Sequence, residues 1–201
     1  MTISVAIFVF PNVELLDFAG PYEVFTTASR VFSKLKSPGP APFSVFTIAE
    51  EAGAVRARAG LVVTPDCTFC EHLPIDLLII PGGIVTAELE NSAVRQWIER
   101  TAAFTLITAA VCTGSFLLAQ SGLLAGKSAT THWEDLGELK AMFPSLTVIE
   151  DRRWVDEGTV VTSAGISAGI DMSLHLVARL GGKELALKTA RQMDYNWREN
   201  P

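Results

Sequence analysis

The stretch from Phe104 to Leu118 limits what this chain can fold into more than any other part. It opens as a run of apolar and β-branched residues, which predicts a buried central strand, and the run stops at Cys112. Thr113-Gly114-Ser115 follows, and a helical pattern then resumes. A strand, a sharp turn and a helix place the side chain at the turn above the carboxyl edge of a parallel sheet, where open α/β folds bind ligands.

The helix after the turn bears on the chemistry of Cys112. Its N–H groups and its dipole favour a thiolate over a thiol, so Cys112 is predicted to have a lowered pKa and to act as a nucleophile. A second interpretation is a small buried core residue, which is how most free cysteines behave. The spacing alone leaves both interpretations open.

Length, charge and cysteine content narrow the class of protein. The 201 residues suit a single domain spanning 1–201, and 49% hydrophobic residues supply its core. A net charge of -6 without a basic face argues against a nucleic-acid partner. No apolar run approaches the roughly 20 residues of a membrane helix. Three cysteines without a recognisable export signal predict a cytoplasmic location.

Strand and helix patterns alternate along the chain, which predicts one doubly wound α/β sandwich. Besides the central strand, strands are predicted at Thr2–Phe10, Phe43–Ala49, Asp76–Ile80, Lys127–Thr131 and Thr147–Glu150, with hairpins at Val55–Val63 and Trp154–Thr162. Further helices are predicted from near Gly20-Pro21 to Phe32, and at Ala93–Arg100, His132–Phe143, Ser167–Leu180 and Lys183–Asn196.

Two connecting segments are predicted as irregular. Asn12–Phe18 is expected to be a short turn, because Pro21 is favoured at an early helical position. Lys34–Pro42, rich in Pro, Lys and Gly, is expected to be an exposed loop. Cys67 and Cys70 form a CxxC pair, but the prolines around them favour incidental loop thiols over a redox or zinc site.

Five motifs carry a resemblance to a known family. They are Leu-Leu-Asp-Phe-Ala-Gly-Pro-Tyr-Glu-Val-Phe from Leu15, Ile-Ile-Pro-Gly-Gly from Ile79, Ala-Val-Cys-Thr-Gly-Ser from Ala110, Thr-Thr-His-Trp from Thr130 and Ser-Ala-Gly-Ile-Ser-Ala-Gly-Ile-Asp from Ser163. With them the chain resembles the ThiJ/PfpI superfamily, and most of all the branch that holds the isonitrile hydratases and the N-terminal domains of AraC-type regulators. The resemblance implies a flavodoxin-like sandwich with a nucleophile-elbow cysteine, a homodimer, and no metal or cofactor.

The resemblance to isonitrile hydratases implies catalytic roles for Cys112, Thr113 and Asp17. A thiolate can attack the electrophilic isonitrile carbon, and a nearby carboxylic acid can supply the proton that the adduct needs. Because two adjacent negative charges repel, Asp17 is predicted to hold or share a proton. An aspartate shortly before Pro21 can also cap the first helix, so the residues alone leave that alternative open.

Four further residues are predicted to bind substrate. The Gly83 N–H, with that of Thr113, is expected to form an anion hole over the cysteine, although Pro81-Gly82-Gly83 is also an ordinary tight turn. Gly82 belongs to the same turn. His132 and Trp133 are predicted at the rim of the pocket, and a partly buried, hydrogen-bonded histidine is the alternative for His132.

Other functions stay open at this stage. The first alternative is a different cysteine enzyme of the same superfamily, such as a glyoxalase, deglycase or amidase. The second is a ligand-sensing domain related to the AraC-type regulators, whose DNA-binding domain has roughly a hundred residues. Since the chain ends at Pro201, directly after its last predicted helix, such a sensor is expected to need a partner chain to reach DNA.

Overall fold

A computed structural model gives the structure of the protein and describes residues 1–35 and 39–199. Within these residues the strands are β1 Ile3–Phe8, β2 Phe43–Ala49, β3 Val55–Arg56, β4 Val62–Val63, β5 Cys67–Thr68, β6 Leu77–Ile80, β7 Ile107–Val111, β8 Ser128–Ala129, β9 Thr147–Val148, β10 Trp154–Asp156 and β11 Val160–Ser163. The helices are α1 Leu15–Leu35, α2 Thr86–Glu90, α3 Ser92–Ala102, α4 Gly114–Gln120, α5 Leu136–Met142, α6 Ala168–Gly181 and α7 Lys183–Gln192, with a 3-10 turn at Trp133–Asp135.

A seven-stranded sheet in the order β10-β11-β7-β6-β1-β2-β5 forms the centre of the described structure. All its neighbouring strands pair in parallel except β10 with β11. Every residue of β6 and β7 is buried, as in a parallel sheet that is covered on both faces. Helices α1, α6 and α7 pack together, and α2, α3 and α4 form a second group. The predicted doubly wound α/β sandwich is confirmed.

The sheet order creates the place for a site. From β1 the chain goes to β2 on one side and later to β6 and β7 on the other, so the strand order reverses beside β1. Such a switch point leaves a crevice at the carboxyl ends of the strands. The segments that follow β1, β6 and β7 meet there. They carry Asp17, which lies in the first turn of α1, the turn Pro81-Gly82-Gly83, and Cys112.

The start of the first helix differs from the prediction. Helix α1 begins at Leu15, so Pro21 lies inside it and Asp17 and Phe18 are helical instead of belonging to a turn. A proline at this depth removes one intrahelical hydrogen bond. The helix continues because its apolar side, including Phe18, Val24 and Phe25, is buried against the sheet, and packing outweighs the local preference.

Other boundaries were also predicted imperfectly. Lys34 belongs to α1 and not to the predicted loop, and residues 36–38 of that predicted loop lie outside the described residues. Cys67 is part of edge strand β5, which pairs with β2, and is not a loop residue. The hairpin predicted at Val55–Val63 is present as β3 and β4.

Candidate active site

The turn after β7 holds Cys112 in a strained conformation. Its φ is 56°, a left-handed value that a non-glycine residue adopts only when its surroundings impose it. The Cys112 carbonyl accepts hydrogen bonds from the Ser115 hydroxyl at 3.0 Å and from the Thr131 hydroxyl at 2.9 Å. At Gly114 a Cβ would collide with the Ile80 carbonyl oxygen, so only glycine allows α4 to start this close to β6. Together these contacts hold the sharp strand–turn–helix geometry that the sequence predicted at Cys112.

Asp17 lies completely buried beneath the same turn. The Gly82 N–H donates to its Oδ2 at 3.1 Å, whereas its Oδ1 is buried without a hydrogen-bond partner among the described residues. A Cβ at Gly82 would lie 2.9 Å from Asp17 Oδ2 and 2.6 Å from Thr113 Oγ1. A glycine is therefore needed at residue 82 to bring the carboxyl group next to the elbow.

The carboxyl group of Asp17 has a strongly raised pKa. Burial raises the pKa of Asp17 to about 7, and the charge of Glu14 raises it as well. The hydrogen bond from the Gly82 N–H acts in the opposite direction and lowers this pKa. Its side chain bonds to the loop after β6 and not to its own helix, so the alternative of a helix cap is wrong. The raised pKa supports the predicted protonated or proton-sharing Asp17.

The thiol of Cys112 does not have the lowered pKa that we predicted. Burial raises the pKa of Cys112 to about 12, and the charges of Asp17 and Asp135 raise it further, while only the Thr113 N–H acts in the opposite direction. Cys112 is only 7% exposed and lies beside the carboxyl group of Asp17, and both features disfavour a thiolate. The dipole of α4, a helix of seven residues, is too weak to offset them. The Cys112 side chain is therefore a neutral thiol at neutral pH.

Thr113 locks the turn after β6 to the elbow. Its hydroxyl donates to the Gly83 carbonyl at 2.9 Å and accepts from the Gly83 N–H at 2.9 Å. The predicted anion hole is therefore wrong for one of its two N–H donors, because the Gly83 N–H already donates to the Thr113 hydroxyl. The Thr113 N–H instead acts on the Cys112 sulfur, whose pKa it lowers.

A cavity of about 330 Å³ opens above the sulfur. Its lining residues come from the loops after β1, β6, β7 and β11, the β3–β4 hairpin, and the segments around α2, α4 and α5. They are Glu14, Arg58, Gly83, Ile84, Val85, Thr86, Leu89, Cys112, Thr113, Phe116, His132, Glu134, Asp135, Glu138 and Ile166.

The sequence profile of the DJ-1/PfpI family matches residues 3–179. The chain belongs to the DJ-1/PfpI family. The chain is 32% identical over 197 residues to the isonitrile hydratase of Pseudomonas putida, an alignment that covers 97% of this chain and 79% of that protein. The resemblance stated from the motifs is thereby confirmed at the level of the family.

Other members of the DJ-1/PfpI family differ in what they do. The chain is 29% identical over 182 residues to the HTH-type transcriptional regulator CdhR of Pseudomonas aeruginosa, covering 90% of this chain and 52% of the regulator. It therefore spans about half the length of that relative. The crystal structure of a ThiJ/PfpI family protein from Pseudomonas syringae matches with a TM-score of 0.85 at 25% identity, over 99% of this chain and 77% of that one.

The DJ-1/PfpI site differs in detail from the predicted set of residues. Gly83 and His132 line the cavity with Cys112, as predicted, but Gly82 is buried behind it and orients Asp17. Trp133 is 72% exposed and is not among the residues that line the cavity. The prediction that Gly82 and Trp133 contact substrate is therefore not supported by their positions.

His132 is held at the edge of the cavity. Its Nδ1 accepts a hydrogen bond from the Glu134 N–H at 3.4 Å and lies 3.5 Å from Asp135 Oδ2. Gly165 provides the room for the imidazole, since a Cβ there would collide with the ring. The half-buried, hydrogen-bonded state matches the alternative interpretation of this residue, and the ring also borders the cavity.

Several lining residues carried no recognised signal in the sequence. Arg58 comes from the β3–β4 hairpin, which reaches the site only through the fold. Ile166, with a φ of 53°, lies within the Ser-Ala-Gly-Ile-Ser motif, which the sequence alone left without a role in the site. The acidic residues of segment 134–138 have the pattern of an ordinary helix start.

Two negative findings apply to the described residues. Residues 1–35 and 39–199 contain no group of three or more His, Cys, Asp or Glu side chains arranged to hold a metal ion. No helix in this part of the chain is both long enough and apolar enough to cross a bilayer.

Proposed function

We propose that the protein hydrates isonitriles to N-substituted formamides, with Cys112 as nucleophile and Asp17 as the group that moves protons. The observation that carries the proposal is the buried pair itself. A neutral thiol on a strained elbow lies beside a carboxyl group with a pKa of about 7 and an oxygen without a hydrogen-bond partner among the described residues. The 32% identity to an isonitrile hydratase supports this choice of substrate.

The first step forms a carbon–sulfur bond. When Asp17 is ionised, its carboxylate accepts the Cys112 proton as the sulfur attacks the terminal carbon of R–N≡C. The carboxylic acid so formed then donates that proton to the carbon. The product is a thioimidate, Cys–S–CH=N–R, and Asp17 is again a carboxylate. This order of proton transfers needs no free thiolate, which agrees with the raised pKa of Cys112.

The second step consumes water. Asp17 accepts a proton from a water molecule that attacks the thioimidate carbon and donates it to the imine nitrogen, which gives the adduct Cys–S–CH(OH)–NH–R. The carbon–sulfur bond then breaks as the hydroxyl oxygen becomes the carbonyl oxygen; Asp17 passes the hydroxyl proton to the sulfur, so HC(=O)–NH–R leaves and the Cys112 thiol is restored. In sum, one isonitrile and one water give one formamide. Thr113 acts as a positioning residue, because its hydroxyl holds the Gly82-Gly83 turn that orients Asp17.

The direct test is incubation of the purified protein with a small alkyl and a small aryl isonitrile, with formamide followed by chromatography or carbon NMR. We expect stoichiometric conversion of isonitrile into formamide. An inert protein would reject the proposal. Consumption of methylglyoxal, a glycated amine or an amide in parallel assays would point to another cysteine enzyme of the family.

The pH profile of the hydration tests the role of Asp17. Because the carboxylate is the proton acceptor, kcat/KM should rise with pH through about 7 and then level off. In Asp17→Asn the rate should no longer rise with pH, and it should be about 10²- to 10⁴-fold lower than in the wild type. Asp66→Asn is a matched control, since Asp66 accepts hydrogen bonds from the Thr47 N–H and hydroxyl far from the elbow. An unchanged profile in Asp17→Asn would remove Asp17 from the mechanism.

A ligand-sensing role is the second candidate, and the observation that favours it is the 29% identity to a transcriptional regulator. A sensor would bind a small molecule in the same cavity without converting it. Calorimetric titration that shows saturable binding with no product formation would support this role. Full turnover that depends on Cys112 would reject it.

Three parts of the sequence-based hypothesis belong to this proposal. A single domain over 1–201 and a homodimer remain predictions, and light scattering on the purified protein measures the second. The cytoplasmic location also remains a prediction, and three free cysteines support it because a reducing compartment keeps thiols unpaired.

A further inference from the structure

The cavity above Cys112 has an uneven charge. Four carboxylates line it, and among the described residues Arg58 is its one lining arginine or lysine. The Arg58 guanidinium lies 3.5 Å from Glu14 Oε2, so these two charges largely compensate each other. The other three carboxylates belong to Glu134, Asp135 and Glu138, and they come from one short segment. One wall of the cavity is therefore acidic.

The positive charge near this wall is limited. His132 Nδ1 lies 3.7 Å from Glu134 Oε2 and 3.5 Å from Asp135 Oδ2, but an imidazole adds a charge only when it is protonated. Glu138 has no ion pair among the described residues. A concave surface lined by one sign of charge concentrates ligands of the opposite sign.

The negative potential reaches the reacting atom. The Asp135 charge raises the pKa of Cys112, which places this carboxylate within electrostatic range of the sulfur. Asp17 adds a second carboxyl group below it, with one completely buried oxygen that has no partner in the described part of the chain. The remaining lining is apolar and is supplied by Ile84, Val85, Leu89, Phe116 and Ile166.

We infer that the site selects substrates with an apolar body and a positively charged side group, and that the 134–138 segment sets this preference. The inference rests on the proposed function for the reacting group and adds the substrate class, an alkyl isonitrile that carries a protonated amine. The isonitrile carbon would meet the Cys112 sulfur, and the ammonium group would lie against Glu134, Asp135 and Glu138. A carboxylate-bearing isonitrile would be repelled.

The test uses two thiol reagents of similar size and opposite charge, 2-aminoethyl and 2-sulfonatoethyl methanethiosulfonate. Each forms a disulfide with Cys112 and releases methanesulfinate, so labelling needs no isonitrile turnover. The rate constants are measured on a Cys67→Ser/Cys70→Ser protein and divided by those of N-acetylcysteinamide. The cation-to-anion ratio at Cys112 should exceed that of the free thiol on the order of tenfold, and it should shrink at roughly 0.5 M salt.

Charge-removing variants assign the effect to the acidic wall. Glu134→Gln/Glu138→Gln should lower the ratio by about threefold or more. Glu99→Gln is the matched control, because Glu99 is exposed on α3 and does not line the cavity. A ratio equal to that of the free thiol, or a ratio that the double variant leaves unchanged, would overturn the inference.

A second arm separates this inference from the proposed function. Alkyl isonitriles of matched length with an ammonium, a methyl or a carboxylate end are compared by kcat/KM. The ammonium compound should be the best substrate and the carboxylate the poorest. If no isonitrile is hydrated but the labelling ratio persists, the proposed function fails and the charge preference stands. If all three are hydrated equally and the ratio is that of the free thiol, the charge preference fails alone.

Discussion

Two cysteine regions of this protein have opposite surroundings. Cys112 is 7% exposed on a strained turn at the carboxyl edge of the sheet, beside a buried carboxyl group with an oxygen that no described residue contacts by a hydrogen bond. Cys67 lies on edge strand β5, and Cys70 is exposed just after it. Cys67 also has an acidic neighbour: burial raises the pKa of Cys67, and the charge of Asp66 raises it further. Asp66 Oδ2, however, accepts two hydrogen bonds from Thr47.

The difference shows which features set the proposed nucleophile Cys112 apart from the other thiols. Both Cys67 and Cys112 have a raised pKa, so an altered pKa does not by itself mark the site. Cys112 has in addition a cavity above it and a carboxyl group below it that can take its proton. Geometry and an available proton acceptor, more than thiolate content, distinguish the elbow.

The largest expected effect follows from removing the sulfur at each place. Cys112→Ala should lower formamide formation by at least about 10³-fold, because the variant has no nucleophile at the elbow position. Cys70→Ala should leave the rate within about twofold, as expected for an exposed residue outside the site. The measurement is the steady-state rate of formamide formation by both variants and by the wild type. Full turnover by Cys112→Ala would break the comparison.

The second effect concerns stability and isolates the buried carboxyl group. An aspartate whose pKa is 3.8 in the unfolded chain and about 7 in the folded protein binds its proton more tightly in the folded state. The free energy of unfolding is therefore highest below pH 3.8 and falls as the pH rises from there through about 7. The fall is on the order of 4 kcal/mol.

Asp17→Asn cannot titrate, so its free energy of unfolding should lack this fall. Urea unfolding of both proteins at a series of pH values between about 4 and 8 gives the comparison. The difference between variant and wild type should grow in favour of the variant as pH increases. Two curves that stay parallel over this range would show that Asp17 ionises normally in the folded protein.

The smallest expected effect is on thiol labelling. At about pH 8, iodoacetamide should modify exposed Cys70 faster than Cys112, whose pKa is raised to about 12. Asp17→Asn removes a neighbouring charge and should speed the labelling of Cys112 by about threefold or more, with no change at Cys70. Mass spectrometry of the labelled peptides measures both. Faster labelling of Cys112 than of Cys70 in the wild type would restore the sequence-based prediction of an activated thiolate.

Much of the fold was predictable because its signals are local. Buried parallel strands such as Leu77–Ile80 and Ile107–Val111 are continuous apolar runs, and the Thr113-Gly114-Ser115 turn stops the second of them. The start of α1 was missed because burial of Phe18 and Phe25 outweighs the local effect of Pro21. Strand β5 was missed because its two residues owe their conformation to pairing with β2.

The meeting of several candidate site residues was predictable from the sequence, but their pKa values were not. Motifs at Asp17, Gly83 and Cys112 placed these residues at one sheet edge, and the fold confirms that they meet there. The pKa of Cys112 was predicted in the wrong direction, because the sequence shows the helix that follows the thiol but not the burial around it. The contribution of Arg58 to the cavity depends on a hairpin that is far away in the chain.

The sequence by itself determined the alternation of the main strands and helices, the position of the turn at Cys112 and the family, because each depends on neighbouring residues or on motifs. Only the tertiary structure decided the protonation of Cys112 and Asp17, the use of the Gly83 N–H by Thr113, and the acidic wall from Glu134 to Glu138. The physical reason is that desolvation and charge–charge energies depend on distances between residues that the chain holds far apart.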